Sequence, residues 1–426
     1  MNTKIIPIIA IFALGSILFY SCEDTTYREY KGNAPVYISY ADLRTSVKPA
    51  ENVDLKNPGK IYYKDNYIFI VEELKGIHVF DNINPSAPVK KTFITIPGVV
   101  DISISGNILY ADSYVDLVVL DVQDIANIHE VGRIKDILPY TVPPTGNDFP
   151  KGNIDKEKGL VLRWDLTTIK ERVYNNPINY PIFLTTMNKT DLSFSSQIGA
   201  GVSSGGTGIG GSMARFGIKD NVLYLLDGNN INLLDITVKS TPAKLFDTFV
   251  GGGIETMFIT GNNMFLGTTT GMIIYDITNP QTLIRKSTYN HMRSCDPVVV
   301  DDTLAYITLR SGTTCGGNVN CLDVVNIKNL SAPALVRSYP MTNPYGLGKH
   351  GNLLFVCDGT AGLKVYNSTD AKNISSNLIY TYPNIRAFDA IPIGDILVLI
   401  GDDGLYQYNY SNISNITLMS SILVVK

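Results

Sequence analysis

A surplus of basic residues is missing from this sequence. Thirty-five Lys and Arg stand against 39 Asp and Glu, a formal net charge of −4. Nucleic-acid binders carry surplus cations to neutralise phosphates, so this balance argues against a nucleic-acid partner. Charge of either sign is scarce: 17% of residues are charged and 45% are hydrophobic, the make-up of a folded chain whose surface leans on uncharged polar groups. Histidine is scarce too, and His78, His129, His291 and His350 are scattered with no zinc spacing. No Gly-x-Ser-x-Gly elbow and no Ser/His/Asp or Cys/His signature is present. No catalytic residue, metal or cofactor is therefore assigned. Helical periodicity is also lacking, since no stretch keeps a 3.6-residue apolar period for long.

The single long apolar run lies at the start. Lys4 precedes residues 5–19, followed by Ser21 and Cys22. A basic start, a short apolar stretch and a small residue predict a signal peptide over 1–21. Cys22 directly after Ser21 matches a bacterial lipoprotein processing site, which predicts lipidation at Cys22 and a membrane partner through that anchor. The polar stretch 22–35 would be the tether, and 36–426 a single folded domain. The expected location is the outer membrane or cell surface.

What the sequence has in quantity is one repeated segment. Asp116-Leu117-Val118-Val119-Leu120-Asp121-Val122 has six relatives, and the seven copies end at Asp81, Asp121, Asp235, Asp276, Asn326, Asn367 and Asn409. Successive differences are 40, 114, 41, 50, 41 and 42. A period of about 41 with two expansions marks a repeat architecture. Each copy reads as four short runs rich in β-branched, Leu and aromatic residues, bounded by turn residues. Four strands per repeat predict a blade, and seven repeats predict an all-β, seven-bladed β-propeller. The terminal Asp or Asn is expected to start the turn to the fourth strand as an Asx-turn. Residues 36–43 alternate well enough to be a strand that closes the ring.

The step of 114 leaves an insertion at 141–212, between blades 2 and 3. Its Trp164-Asp165 invites an eighth-blade reading, which fails because 141–152 lacks the two apolar strands that should come first. Its tail, Gly206-Thr207-Gly208-Ile209-Gly210-Gly211, fits a dinucleotide fingerprint in spelling only, because 212–218 continues as a strand where the phosphate site needs a helix. Cys315 and Cys321 flank one hairpin and are expected to pair; Cys295 and Cys357 either pair or stay as buried thiols.

The Leu-Val-Val-Leu-Asp-Val core, with the turns Asn84-Pro85-Ser86-Ala87-Pro88, Asn279-Pro280 and Ser331-Ala332-Pro333, resembles the LVIVD-repeat proteins. The resemblance runs from about residue 58 to the end of the chain. It implies a surface β-propeller, most like the lipoproteins of this type in Bacteroidota, and it carries no catalytic residue across.

In a propeller the first strand of each blade lines the channel, so both expansions belong to one face, here called the top. Six residues before each first turn stand Lys60, Asp101, Arg215, Thr256 with Glu255 beside it, Asp296, Gly346 and Asp389. Charge at most of these positions makes Lys60, Asp101, Arg215, Glu255, Asp296 and Asp389 the candidate ligand-binding residues. Paired opposite charges satisfying one another is the competing reading. Tyr114, Tyr140, Trp164, Tyr174 and Tyr180 could add stacking area. Two functions follow: a binding module for a glycan, peptide or partner protein, or a secreted glycan hydrolase or lyase using channel-mouth carboxylates.

Overall fold

Short β-branched and aromatic runs separated by Gly, Asp and Asn turns form hairpins, and here they form almost nothing else. The computed structural model describes residues 26–51, 53–173, 180, 209–210, 214–291, 297–311, 318–383 and 385–425. Cys22, Cys295, Asp296 and Cys315 lie outside them, so the expected lipidation site, one candidate ligand residue, one partner of the expected Cys315–Cys321 pair and Cys295 do as well. Two compact units are present, one made of 1–38 and 145–180, the other of 39–144 and 181–426.

The larger unit is a seven-bladed propeller of antiparallel four-stranded blades. Blade 1 spans 58–95, blade 2 102–134, blade 3 216–249, blade 4 254–290, blade 5 298–340, blade 6 347–382 and blade 7 387–423. First strands of neighbouring blades touch around the axis, which places them on the channel. Seven apolar clusters fill the seven junctions between blades. One joins Tyr62 and Val79 of blade 1 to Ile104 and Leu109 of blade 2. Another joins Ile400 and Leu405 of blade 7 back to Ile61 and Ile68 of blade 1. No blade can bury both faces alone, so closure of the ring completes the core.

The expected Asx-turn is present in every blade. The terminal side chain accepts from the backbone N–H two residues on, at 3.0 Å for Asp81, 2.8 Å for Asp121, 2.7 Å for Asp235, 2.8 Å for Asp276, 3.0 Å for Asn326, 3.0 Å for Asn367 and 2.9 Å for Asn409. A bulge between third and fourth strands also recurs in all seven blades, at Val79/Phe80 and Gln407/Tyr408 for example. The turns that follow, on the bottom face, then receive hydroxyls from the preceding blade. Tyr110 donates to the Lys239 carbonyl at 2.9 Å, Tyr339 to Ala371 at 2.7 Å, Tyr382 to Ile416 at 2.9 Å and Ser420 to Pro85 at 2.6 Å. These bottom turns are thus used to stitch blade to blade.

Ring closure differs from the expected strand at 36–43. Residues 36–38 end the strand Tyr27–Ile38, which pairs with Leu160–Arg172, and Tyr40–Thr45 is a helix. The reason is local: Ser39 accepts from the Asp42 N–H at 3.0 Å, an N-cap that ends the strand and starts a turn of helix. Closure is made instead by a buried, reciprocal amide pair, Asn82 Nδ2 to Gln407 Oε1 at 2.8 Å and Gln407 Nε2 to Asn82 Oδ1 at 2.7 Å. Lys48–Ala50 covers the outer edge of blade 1 by pairing with Val89–Thr95. Ile209–Gly210 pairs with Tyr62 and Tyr63 on the channel side of the same blade.

The smaller unit is a two-stranded ribbon. Tyr27–Ile38 runs antiparallel to Leu160–Arg172 with a bulge at Val36/Tyr37, so residues 27–35 of the expected tether lie in this strand. Trp164 and Asp165 belong to the ribbon and open no blade, as the sequence argument required. Arg28 and Tyr30 both bond Glu171 Oε1, at 2.7 and 2.6 Å.

Candidate functional site

The charged positions counted from the first turns separate into an ion pair and a cavity. Lys60 and Asp101, on blades 1 and 2, are buried and bonded, Nζ to Oδ2 at 2.9 Å. The same Asp101 Oδ2 accepts from the backbone N–H of Arg215 and from that of Phe216 at 3.2 Å, while Oδ1 accepts from Ile102 at 2.8 Å. One carboxylate therefore ties the first strands of three blades together. Burial pulls the Lys60 ammonium down, with Asp101 acting against that and Arg215 adding to it. At Lys60 and Asp101 the reading of opposite charges satisfying one another holds.

Arg215 and Glu255 lead elsewhere. They line a cavity of about 450 Å³ together with Asp112, Tyr114, Leu138, Pro139, Thr141, Phe216, residues 226–230, Gly253 and Ile254. Every lining segment lies at the top face: the end of a second strand with the turn after it in blades 2 and 3, or the start of a first strand and the passage that leads to it from the preceding blade. The lining comes from blades 2, 3 and 4. Asp389 stands apart on blade 7, fully buried, with Oδ1 accepting from Ala390 at 2.6 Å. It lies near Cys357, a buried free thiol pushed well up by burial first and by Asp389 and Asp358 next.

Asp112 is the side chain that sequence counting missed. It sits on the second strand of blade 2 and is 6% exposed. Its Oδ1 accepts from Val100 at 2.7 Å and Asp101 at 2.9 Å. Burial pushes its carboxyl up to about 6, against the pull of those two N–H groups and of Arg215. Asp227 follows the second strand of blade 3 and accepts from the Asn230 N–H at 2.8 Å and from Asn232 Nδ2 at 3.3 Å. Both stand at the end of a second strand, where blade 1 has Glu72 and blade 6 Asp358. Applying the repeat count to second strands, and not only to first strands, is the signal that finds them.

Of the aromatic candidates, Tyr114 lines the cavity. Trp164 and Tyr180 belong to the ribbon unit, where Lys151 Nζ stands 5.8 Å from the Trp164 ring centre and Lys156 Nζ 4.7 Å from that of Tyr180. Tyr174 lies outside the described residues. In blade 5, Arg310 stacks at 3.7 Å on Tyr345, and burial lowers its pKa. Cys321 opens a third strand with Sγ 3.5 Å from Asp323 Oδ1. No group of three or more metal-ligating side chains is present among the described residues.

The LVIVD repeat model matches residues 98–136 and 316–341. Those spans cover blade 2 and the third and fourth strands of blade 5, so two blades of this repeat β-propeller match the LVIVD repeat. No curated protein matches the sequence. Among solved structures, the chain is similar to the computationally designed Ika8 protein, with 10% identity, 93% of each chain covered and a TM-score of 0.49. It is similar to BamB from Moraxella catarrhalis, with 10% identity, 84% of this chain and 85% of that one covered, and a TM-score of 0.48. Hsv2 from Kluyveromyces lactis matches at 10% identity over 85% of this chain and 98% of that one, with a TM-score of 0.46.

Proposed function

We propose that this propeller is a surface lipoprotein of the Bacteroidota type that binds a glycan, a peptide or a partner protein through its top face. The observation that carries the reading is the cavity itself. It has room for a ligand, and its rim gathers Asp112, Asp227, Glu255 and Arg215 from three blades around apolar walls. A fold that needs only packing gains nothing from a buried carboxyl held above its ordinary range, and such groups concentrate where ligands are met. The opposite face supports the assignment, because its turns at Pro85, Lys239, Pro280, Leu330, Ala371 and Ile416 are occupied in stitching blades. Lipid on Cys22 would hold the molecule at the membrane.

A glycan and peptide binding screen on the full chain in mild detergent tests this reading. Ligands that bind saturably should lose affinity when Asp227 and Glu255 are both changed to Ala, and keep it when Asp121 and Asp124 on the bottom face are changed instead. Loss only in the second variant sinks the top-face reading. Replacing Cys22 with Ala should release the protein from membranes, and retention would count against the anchor. A second reading has its own observation: three carboxyls line one cavity and one of them is raised, so a hydrolase or lyase is the alternative. Product analysis in the same screen separates the two.

A further inference from the structure

We infer that the cavity of blades 2, 3 and 4 receives a primary ammonium group, with the open oxygen of Asp112 as its anchor. The inference rests on the reading of this cavity as the binding site and names what it would take. Asp112 and Asp227 set two carboxylates against the one guanidinium of Arg215 in the lining. Arg215 donates Nη2 to the Leu226 carbonyl at 3.1 Å and acts on Asp112 through its charge, with no ion pair between the two. Neither Asp112 nor Asp227 has an ion-pair partner among the described residues. Asp227 is held by the backbone N–H and side-chain amide of Asn230 and by the side-chain amide of Asn232.

Asp112 supplies the second, independent observation. Two backbone N–H groups fix its Oδ1 at 2.7 and 2.9 Å, whereas its Oδ2 accepts no hydrogen bond among the described residues. The residue is 6% exposed and lines the cavity, so the cavity is where that oxygen finds a donor. A carboxylate held by one oxygen and open at the other is a pre-oriented acceptor. An ammonium is compact, carries three donors and comes on an aliphatic stem, which Leu138, Phe216 and Ile254 would cover. Free alkyl diamines and peptide lysines share this chemistry.

The groups facing Asp112 are Asp101 from its own blade, Arg215 from blade 3 and, more distantly, Lys60 from blade 1. Deprotonated Asp112 is the binding form, so affinity should fall as pH drops through about 6. Calorimetry on the full chain in mild detergent, with 1,5-diaminopentane, a lysine-containing tripeptide blocked by acetylation at its N-terminus and the same blocked tripeptide also acetylated on Nε, tests the inference. The two ammonium probes should bind at least about tenfold more tightly than the Nε-acetylated peptide at neutral pH, the margin of one charge-assisted hydrogen bond. Asp112→Asn should erase that margin while the melting temperature holds or rises. Tighter binding of the tripeptide assigns a peptide source, and tighter binding of the diamine a free polyamine. Equal binding of the Nε-acetylated peptide, or full ammonium affinity in Asp112→Asn, overturns the inference. If ammonium probes fail but a ligand from the screen still depends on Asp227 and Glu255, only the ammonium assignment falls; if no ligand depends on them, both readings fall.

Discussion

At the scale of the residue, the same side chain does different work because its neighbours differ. Asp101 and Asp112 are both buried acids on blade 2, and they face each other through one backbone bond. Asp101 accepts a lysine and three backbone N–H groups, so its charge is matched. Asp112 has two N–H groups on one oxygen only, and its carboxyl rises from 3.8 to about 6. The folded state therefore binds the Asp112 proton more tightly than the unfolded chain does. Stability from this group is fully present below about pH 4 and is lost as pH climbs to 6, at a cost approaching about 3 kcal/mol for a shift of about two units. Asp112→Asn keeps an acceptor for both N–H groups and removes the titration. Its stability relative to the parent should be near equal at pH 4 and greater by about 2 to 3 kcal/mol at pH 7, as read by denaturant melts. A difference that stays flat with pH would refute the raised carboxyl. Subtracting the parent also cancels Asp116, held low by Arg44 and Arg133 against burial, whose contribution is instead lost in acid.

At the scale of the element, the blades were legible and the segments outside them were not. Alternating apolar runs, a turn residue every few positions and a fixed Asp or Asn predict a four-stranded unit, because each signal is local and repeated seven times. The segment 36–43 also alternates, yet a side-chain cap at Ser39 decides between strand and helix within one turn. Once formed, the helix Tyr40–Thr45 presents Arg44 to Asp116, Nε to Oδ2 at 2.9 Å and Nη2 to Oδ1 at 3.1 Å. Asp116 is fully buried at the start of a third strand and also bonds Arg133 at 3.1 Å and the Asp136 N–H at 2.9 Å. Such long-range pairing leaves no trace in sequence periodicity. Arg44→Ala should cost on the order of 1 to 3 kcal/mol by stripping one partner from a buried carboxylate. Unchanged stability in urea melts would show the helix to be dispensable.

At the scale of the whole molecule, the ring converts seven weak units into one core and leaves its two faces with different tasks. The bottom turns are drawn into inter-blade bonds, whereas the top connections are free to vary in length and charge. The sequence pointed to this face through the strand order expected of a blade, and it named Arg215 and Glu255. It could not show that the site gathers off to one side, at blades 2, 3 and 4, because the spacing of residues around a closed ring appears only when the ring is built. Hydrogen–deuterium exchange of the full chain, free and saturated with whichever ligand the screen yields, tests the central claim most directly. The account predicts slowed exchange in 112–115, 226–230 and 253–255, with 83–88 and 278–282 unchanged. Protection confined to those bottom turns, with no change at the three top segments, would contradict it.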